Sequence, residues 1–379
     1  MGQDWEALGR TLAPRALVEM QQLVDVSTPS GDRPGAERAV ALCTEFLPSD
    51  AGSERVPCST ESCAPDLLAR VQGTGSRRIL LLGHLDTVVA HAEHQLVRQA
   101  AGRVFGSGTA DMKGGVALAL AVARQLATDP SAFAELALLL VCDEEWRTAP
   151  LAHVARFSGY DACLCFEAGE RTAEGEDGVI VRRKGAGTLR VRATGRAAHS
   201  GAAPQNGRNA LLALAHAAIE VARSADPDGP DQLTVVPTVM RSGEVFNVVP
   251  SAGELIFDAR SSNTAAFKRV LAAVPEEVGG ATLDARFERV WPAMDTRVAT
   301  APMLARASEL LGREVIGRHR GGASDACYFA AKIPLTIDGL GPRGGGAHTP
   351  DEFVLEESFA PRIAVALAIA GAILREPAC

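Results

Sequence analysis

The chain of 379 residues is long enough for two domains of ordinary size. Hydrophobic residues make up 47% and charged residues 22%, a balance that excludes a disordered or fibrous protein. A net charge of -8 argues against nucleic acid as a partner, because such binders usually show a basic surface.

Residues 1–12 carry Asp4, Glu6 and Arg10 and no apolar core, so no secretory leader is expected. Charges break the apolar stretches before spanning length, so no membrane is expected as a partner. Of the eight cysteines, Cys58 and Cys63 could pair, and Cys163 and Cys165 lie on one predicted strand. None shows the C-x-x-C spacing of a structural zinc site. Without a leader, the expectation is eight reduced thiols in a cytoplasmic protein.

In chain order, helices are predicted near residues 13–24 and 35–47, and strands near 67–71 and 79–82. A glycine-punctuated loop, 106–115, leads into an apolar helix over 116–127. Strands follow near 136–142 and 162–166. Alternating strands and helices imply a doubly wound α/β sheet. The pattern changes near Gly185. Strands near 188–194, 233–240, 254–260 and 282–290, with helices near 208–222 and 264–274, predict a small α+β sandwich with one sheet face open to solvent. Helices near 302–311 and 356–375 return to the first style. The expected organisation is a catalytic domain of residues 1–184 and 293–379, interrupted by an inserted domain of residues 185–292. The basic triplet Arg182, Arg183 and Lys184 is expected at the hinge between them.

The strand over 79–82 runs into Gly83-His84-Leu85-Asp86. Residues i and i+2 of a strand share a side, so His84 and Asp86 leave the sheet together, and open α/β sheets gather ligands at the carboxyl ends of their strands. The other predicted strand ends and loops also carry candidate ligands: Asp111 in the glycine loop, Asp143-Glu144-Glu145 after 136–142, Glu167 after 162–166, and His348 in a distant glycine-rich loop. Two imidazoles and three carboxylates, with no thiolate, suit a catalytic pair of zinc-like ions. Such a pair can activate a water and polarise a carbonyl. Of the adjacent Glu144 and Glu145, one can ligate while the other moves protons.

His84-x-Asp86, the loop with Asp111, Asp143-Glu144-Glu145, Glu167, and Ala347-His348-Thr349-Pro350-Asp351-Glu352 together resemble the co-catalytic dizinc peptidases and deacylases. That family includes glutamate carboxypeptidase, acetylornithine deacetylase, succinyl-diaminopimelate desuccinylase and aminoacylase. The resemblance spans about residues 17–374, in the family's order. It implies two Zn2+ (or Co2+ or Mn2+) per chain. Asp111 would bridge them, His84 and Glu167 would complete one site, and Glu145 and His348 the other. Glu144 would be the general base, Asp86 would orient His84, and the bond after Asp111 would be cis. The inserted domain would be a ferredoxin-like lid and dimerisation domain.

Within the family the inserted segment resembles the glutamate carboxypeptidase branch. It does so at Gly195-Arg196-Ala197-Ala198-His199-Ser200-Gly201, at Phe246-Asn247-Val248-Val249-Pro250 and at Asp258-Ala259-Arg260. Gly321-Gly322-Ala323-Ser324-Asp325-Ala326 is similar to the same branch's glycine loop. By that resemblance His199 helps polarise the scissile carbonyl, often across a dimer interface, and Asn247 and Arg260 hold the substrate's free carboxylate. The implied activity is hydrolysis of the amide in an acylated amino acid or short peptide, with release of C-terminal Glu or Asp. The alternatives are an N-acyl amino acid deacylase of the acetylornithine deacetylase or desuccinylase type, and a non-catalytic binding protein on the same fold. Two positions depart from the family: Trp146-Arg147-Thr148 follows the acidic triplet where a small residue is usual, and Ala168 follows Glu167 where proline is common. Trp146 could wall the substrate pocket or merely pack.

Overall fold

A computed structural model describes residues 4–172, 175 and 177–375. The chain divides into two compact units, one of residues 1–182, 295–320 and 324–379, the other of residues 183–294 and 321–323. The sequence predicts breaks at 184/185 and 292/293; the observed breaks lie two residues from each, the first inside the basic triplet, and Gly321–Ala323 joins the second unit.

The first unit is built on a six-stranded sheet in the order Gly52–Val56, Asp66–Gln72, Glu135–Val141, Arg78–His84, Ala162–Cys165, Leu335–Ile337. The last four strands run parallel and the first two antiparallel, so the sheet is mixed. Arg78–His84 lies inside the sheet and is buried from Ile79 to His84. A strand covered on both faces has no polar side, which is why it reads as an unbroken apolar run. Each such leucine contributes about 1.5–3 kcal/mol of burial.

Helix Gly114–Ala127 is buried from Gly114 to Ala123. Its approach to the sheet depends on Gly115, where a Cβ would stand 1.7 Å from the Phe166 carbonyl oxygen. That contact brings the loop of Asp111 to the end of strand Ala162–Cys165. A second close approach joins the ends of the chain: the Trp5 ring lies 3.0 Å from where a Cβ on Gly371 would be. The hairpin Gly344–Gly345 with Phe353–Leu355 pairs onto Arg103–Phe105, which ties the His348 loop to the glycine loop.

Several expectations need correction. The first helix begins at Trp5, not near residue 13: Asp4 caps it, its carboxylate accepting from Ala7 N, and Pro14 is accommodated inside. Strands Gly52–Val56 and Val315–Arg320, both largely exposed, carry no sustained apolar run, whereas the unpredicted strand Asp177–Arg183 is buried around Val179, Ile180 and Val181 and shares a small sheet with Val315–Arg320. Within the loop 106–115 the segment Thr109–Lys113 is kinked, with non-helical backbone at Asp111 and Met112. Residues Glu356–Leu374 are long and apolar enough to cross a bilayer, against the expectation that charges interrupt every such stretch. In this fold 78% of that window is buried, as expected of a core helix. The seven described cysteines form no disulfide; Cys379 lies outside the described residues.

The second unit has a five-stranded antiparallel sheet in the order Thr234–Ser242, Ala252–Ser261, Gly185–Thr194, Ala281–Trp291, Glu277–Val278. Leaving out the two-residue strand, its βαββαβ order is ferredoxin-like. Gly185–Thr194 alternates buried and open positions. Leu189, Val191, Leu255 and Phe257 pack with Leu214 and Val270 from the two helices that cover one face. The predicted helix over 264–274 is a short turn, Thr264–Ala266, followed by Phe267–Ala272.

Candidate metal centre

The first unit brings five separated side chains together at the carboxyl end of its sheet. The ligand atoms of His84, Asp111 and Glu167 all lie within 4.8 Å of one another, and so do those of Asp111, Glu145 and His348. Asp111 belongs to both groups. His84 Nε2 stands 3.1 Å from Asp111 Oδ1, and His348 Nε2 stands 3.1 Å from Asp111 Oδ2. The outer carboxylates follow, Glu167 Oε1 at 3.8 Å from His84 Nε2 and Glu145 Oε1 at 3.1 Å from His348 Nε2.

Each ligand is held by its surroundings. His84 Nδ1 faces the backbone carbonyl of Asp86 at 3.0 Å; as a donor there it leaves the Nε2 lone pair for a cation. The Asp86 carboxylate is more distant from Nδ1, at 3.5 Å, and has a wider task than orienting one imidazole. It accepts from Glu144 N at 3.0 Å, from Glu145 N at 3.1 Å and from Ser30 Oγ at 3.0 Å. Asp86 therefore fixes the backbone that carries both glutamates. The peptide bond between Asp111 and Met112 is cis, and His348 has a left-handed backbone with φ of 64°. Positive φ is uncommon for a residue with a side chain and often occurs at functional sites.

The electrostatics fit a cation pair. Burial opposes a charged His84, yet its hydrogen bonds to Asp111 and Asp86 and the charges of Glu144 and Glu167 hold it well above the ordinary histidine range. Hydrogen bonds to Asp111 and Glu145 raise His348 to about 10. Burial would raise Asp111, but the two histidines outweigh it and hold this carboxylate low. Two protonated imidazoles thus balance a carboxylate cluster, the charge that divalent cations would supply instead. The donors are imidazole nitrogen and carboxylate oxygen throughout, a set suited to zinc and similar ions. Glu144, 8% exposed, belongs to neither group; burial pushes its carboxyl well above the usual range, with further upward push from Asp325, Glu167 and Glu145.

Three contributors escaped the sequence reading. The Glu352 carboxylate accepts from Gly108 N at 2.7 Å, Ala110 N at 2.8 Å and Asp111 N at 2.9 Å, and so shapes the loop that presents Asp111. Its signal was available, four residues after His348 in the quoted motif. Ser30 gave none. Arg147 is 1% exposed; it donates to Asp143 Oδ1 at 2.8 Å and also to Asp325, making a buried Asp143–Arg147–Asp325 link directly after the two glutamates. Trp146, 40% exposed, lies over Gly31, where a Cβ would stand 3.1 Å from its ring.

In the second unit, His199 and Asn247 lie on adjoining segments: Ser200 N donates to Asn247 O at 3.0 Å, and His199 bridges to Val248. His199 Nδ1 accepts from Gly201 N and Ala202 N at 3.2 and 3.1 Å, which leaves Nε2 to carry the proton of the neutral ring. Arg260 Nε donates to both Asp258 oxygens at 2.9 and 3.0 Å.

Comparison with known proteins places these features. The profile of peptidase family M20/M25/M40 matches residues 80–372. Carboxypeptidase G2 from Pseudomonas sp. (strain RS-16) is 24% identical over 370 residues, covering 92% of this chain and 86% of the relative. A succinyl-diaminopimelate desuccinylase from Stenotrophomonas maltophilia (strain R551-3) is 29% identical over 313 residues, covering 76% and 82%. Among solved structures, the Bacillus subtilis YXEP protein, described as a dinuclear metal-binding peptidase of the M20 family, superposes with a TM-score of 0.70 at 14% identity, covering 96% of this chain and 99% of that one. With its profile matched from strand Arg78–His84 to the last helix, the chain belongs to peptidase family M20/M25/M40 and is a metal-dependent hydrolase.

Proposed function

We propose that the protein hydrolyses the amide bond of an acylated amino acid or short peptide that carries a free α-carboxylate, releasing C-terminal glutamate or aspartate. The observation that carries this reading is Asp111 shared between two ligand groups, with Glu144 held beside them but in neither. His84, Asp111 and Glu167 would hold one divalent cation, and Asp111, Glu145 and His348 the other. Zinc, cobalt or manganese bound there would supply Lewis acidity and lower the pKa of the attacking water.

The remaining steps belong to the chain's own groups. The Glu144 carboxylate takes the proton of the attacking water and returns it to the leaving amine nitrogen; a carboxyl raised by burial is suited to this near neutral pH. Asp86, through its bonds to Glu144 N and Glu145 N, keeps base and ligand in register. By the lid resemblance His199, whose Nε2 carries the proton, is assigned to polarise the scissile carbonyl, from its own chain or across a dimer interface. Asn247 and the Nη groups of Arg260 hold the substrate carboxylate, for which a planar guanidinium is well shaped. The free α-carboxylate is supported by the carboxypeptidase relative, and the preference for an acidic amino acid by the resemblance of the lid motifs.

The test is a panel of acylated amino acids and dipeptides presented to the metal-loaded protein. Fastest release of glutamate or aspartate is the expected result, and no preference for an acidic residue would reject it. The second reading, a deacylase of the desuccinylase type, is favoured by the 29% identity to that relative and predicts preference for a succinylated amine. We also propose a homodimer formed through the second unit. Leu212 and Ile219, 65% and 57% exposed, lie seven residues apart on one face of helix Ala210–Ala222, and Val236 and Met240 lie on the edge strand Thr234–Ser242. Light scattering should give twice the chain mass, and Leu212→Glu with Ile219→Glu should give the monomer; a monomeric native protein would reject the dimer.

A further inference from the structure

One pair of nucleophilic side chains in the first unit takes no part in the proposed chemistry. Cys58 and Cys63 close a surface loop of four intervening residues, with Pro57, Glu61 and Ser62 exposed. Their sulfurs lie within 4.8 Å of each other, and the Cys58 thiol is hydrogen-bonded to Cys63. Cys58 is half-buried, while the other described cysteines are buried. An Asp143 oxygen also lies within 4.8 Å of both sulfurs, but the Asp143 oxygens already accept from Thr60 N at 2.8 Å and from the Arg147 guanidinium. A carboxylate so neutralised is a poor third ligand for a cation, which leaves the two sulfurs as the reactive unit.

The loop is fastened to the segment that carries Glu144 and Glu145. Thr60 N donates to Asp143 Oδ2, Ser59 Oγ accepts from Ala152 N at 3.0 Å, and Cys63 is hydrogen-bonded to Trp146. A change at the two sulfurs therefore reaches both sides of the glutamates through contacts of one residue each.

We propose that Cys58 and Cys63 form a dithiol site which a peroxide oxidises to an intramolecular disulfide, and that the disulfide reversibly slows the enzyme by displacing the Asp143–Trp146 segment. In the first step one sulfur attacks a peroxide oxygen; the O–O bond breaks, the thiol proton leaves with the departing oxygen as water, and a sulfenic acid remains. In the second the other sulfur displaces that hydroxyl, which departs as water with the second thiol proton. Two thiols lose two electrons in all, and hydrogen peroxide gains them to give two waters. The Cys58 hydrogen bond holds the Cys63 thiol below its ordinary range, which favours the attacking thiolate form.

The experiment treats the reduced, metal-loaded protein with a small excess of hydrogen peroxide and maps its thiols by peptide mass spectrometry. The expected product has residues 58 and 63 joined, the other cysteines reduced, and a mass lower by two hydrogens. Recovery of Cys58 and Cys63 as thiols, or as sulfinic acids, overturns the site. The slowing of turnover rests on the function proposed above: a loss of about tenfold or more, restored by dithiothreitol, is expected from misplacing a catalytic segment. Cys58→Ser and, separately, Cys63→Ala should retain activity under the same treatment. An unchanged rate after the disulfide is verified, or equal loss in both variants, overturns the coupling. Emission from Trp146, isolated by difference against Trp146→Phe, should fall on oxidation in the native chain alone and reads the local change without any substrate. A protein that forms the disulfide and quenches Trp146 but hydrolyses nothing when reduced would count against the proposed function and leave the dithiol site standing.

Discussion

The two units treat their functional side chains differently. In the first, the candidate ligands and base are clamped: Asp86 holds Glu144 and Glu145 by their backbones, and Glu352 holds the Asp111 loop through three N–H groups. In the second, the candidate recognition groups are lightly held and open. Arg260 keeps 36% of its side chain exposed and Phe246, beside Asn247, is 99% exposed. Groups that handle protons and cations lose much of their effect when misplaced by an ångström. Recognition groups can remain mobile, and their contribution is realised only when substrate orders them. The contrast predicts that substitutions of the clamped groups in the first unit alter turnover, metal content or folding, whereas those of Asn247 and Arg260 in the second alter the choice and affinity of substrate.

The sharpest test removes the base without touching a ligand. Glu144→Gln should keep its metal, measured by atomic absorption, and lose about 10²–10⁴-fold in kcat; retained turnover would remove Glu144 from the mechanism. Next in size is Arg147→Met, which strands Asp143 and Asp325 in the interior. Breaking a buried ion pair costs about 3–5 kcal/mol, so denaturant unfolding should show a loss of that order. An unchanged midpoint would show that the two aspartates take up protons at little cost.

Asp86→Ala should weaken metal binding by about 10–100-fold, the usual effect of deleting a group that orients ligands. At saturating metal kcat should fall as well, because Glu144 loses its backbone anchor. The pH dependence of metal uptake follows from the histidines. With His348 at about 10 and His84 also raised, both rings are protonated in the metal-free protein at neutral pH, and a cation must displace those protons. Affinity should therefore climb as pH rises towards 10. Calorimetry in buffers of different ionisation enthalpy should register proton release; uptake independent of buffer would reject the assignment. The smallest effect is expected at Arg260→Ala, a rise of about tenfold in KM with kcat and metal content nearly unchanged, as for loss of a charge-assisted contact of roughly 1.5 kcal/mol, the low end expected of an exposed group. A large fall in kcat there would break the contrast between the units.

Much of the first unit was legible in order of chain because its strands are fully covered. The apolar runs at Ile79 to Leu82 and Leu136 to Val141 are the direct consequence of burial on both faces. Gly52–Val56, open at four of its five positions, left no such trace. The extra two turns of the first helix were hidden by Pro14, which reads as a helix start although Asp4 and the buried Trp5 begin the helix earlier. In the candidate centre, His84, Glu145 and Glu167 follow apolar runs and Asp111 and His348 sit in glycine-rich loops, and it was the family resemblance that singled out these five as the ligand set. Ser30 and Arg147 could not, since neither residue type nor spacing reveals a partner across the fold.

By itself, the sequence determined the alternation of apolar runs and helices, the change of pattern near Gly185, and the chemical kinds of donor available at each strand end. These are local properties, written in periodicity and residue type. Only the tertiary structure decided that donors separated by up to 264 positions, His84 and His348, meet the two oxygens of one carboxylate. It also decided that Asp86 serves the glutamates as much as the histidine, and that two cysteines on a surface loop lie against the acidic triplet. The reason is physical: convergence depends on strand order, on the close approach allowed at Gly115, and on which buried hydrogen bonds remain to be satisfied once the sheet is assembled.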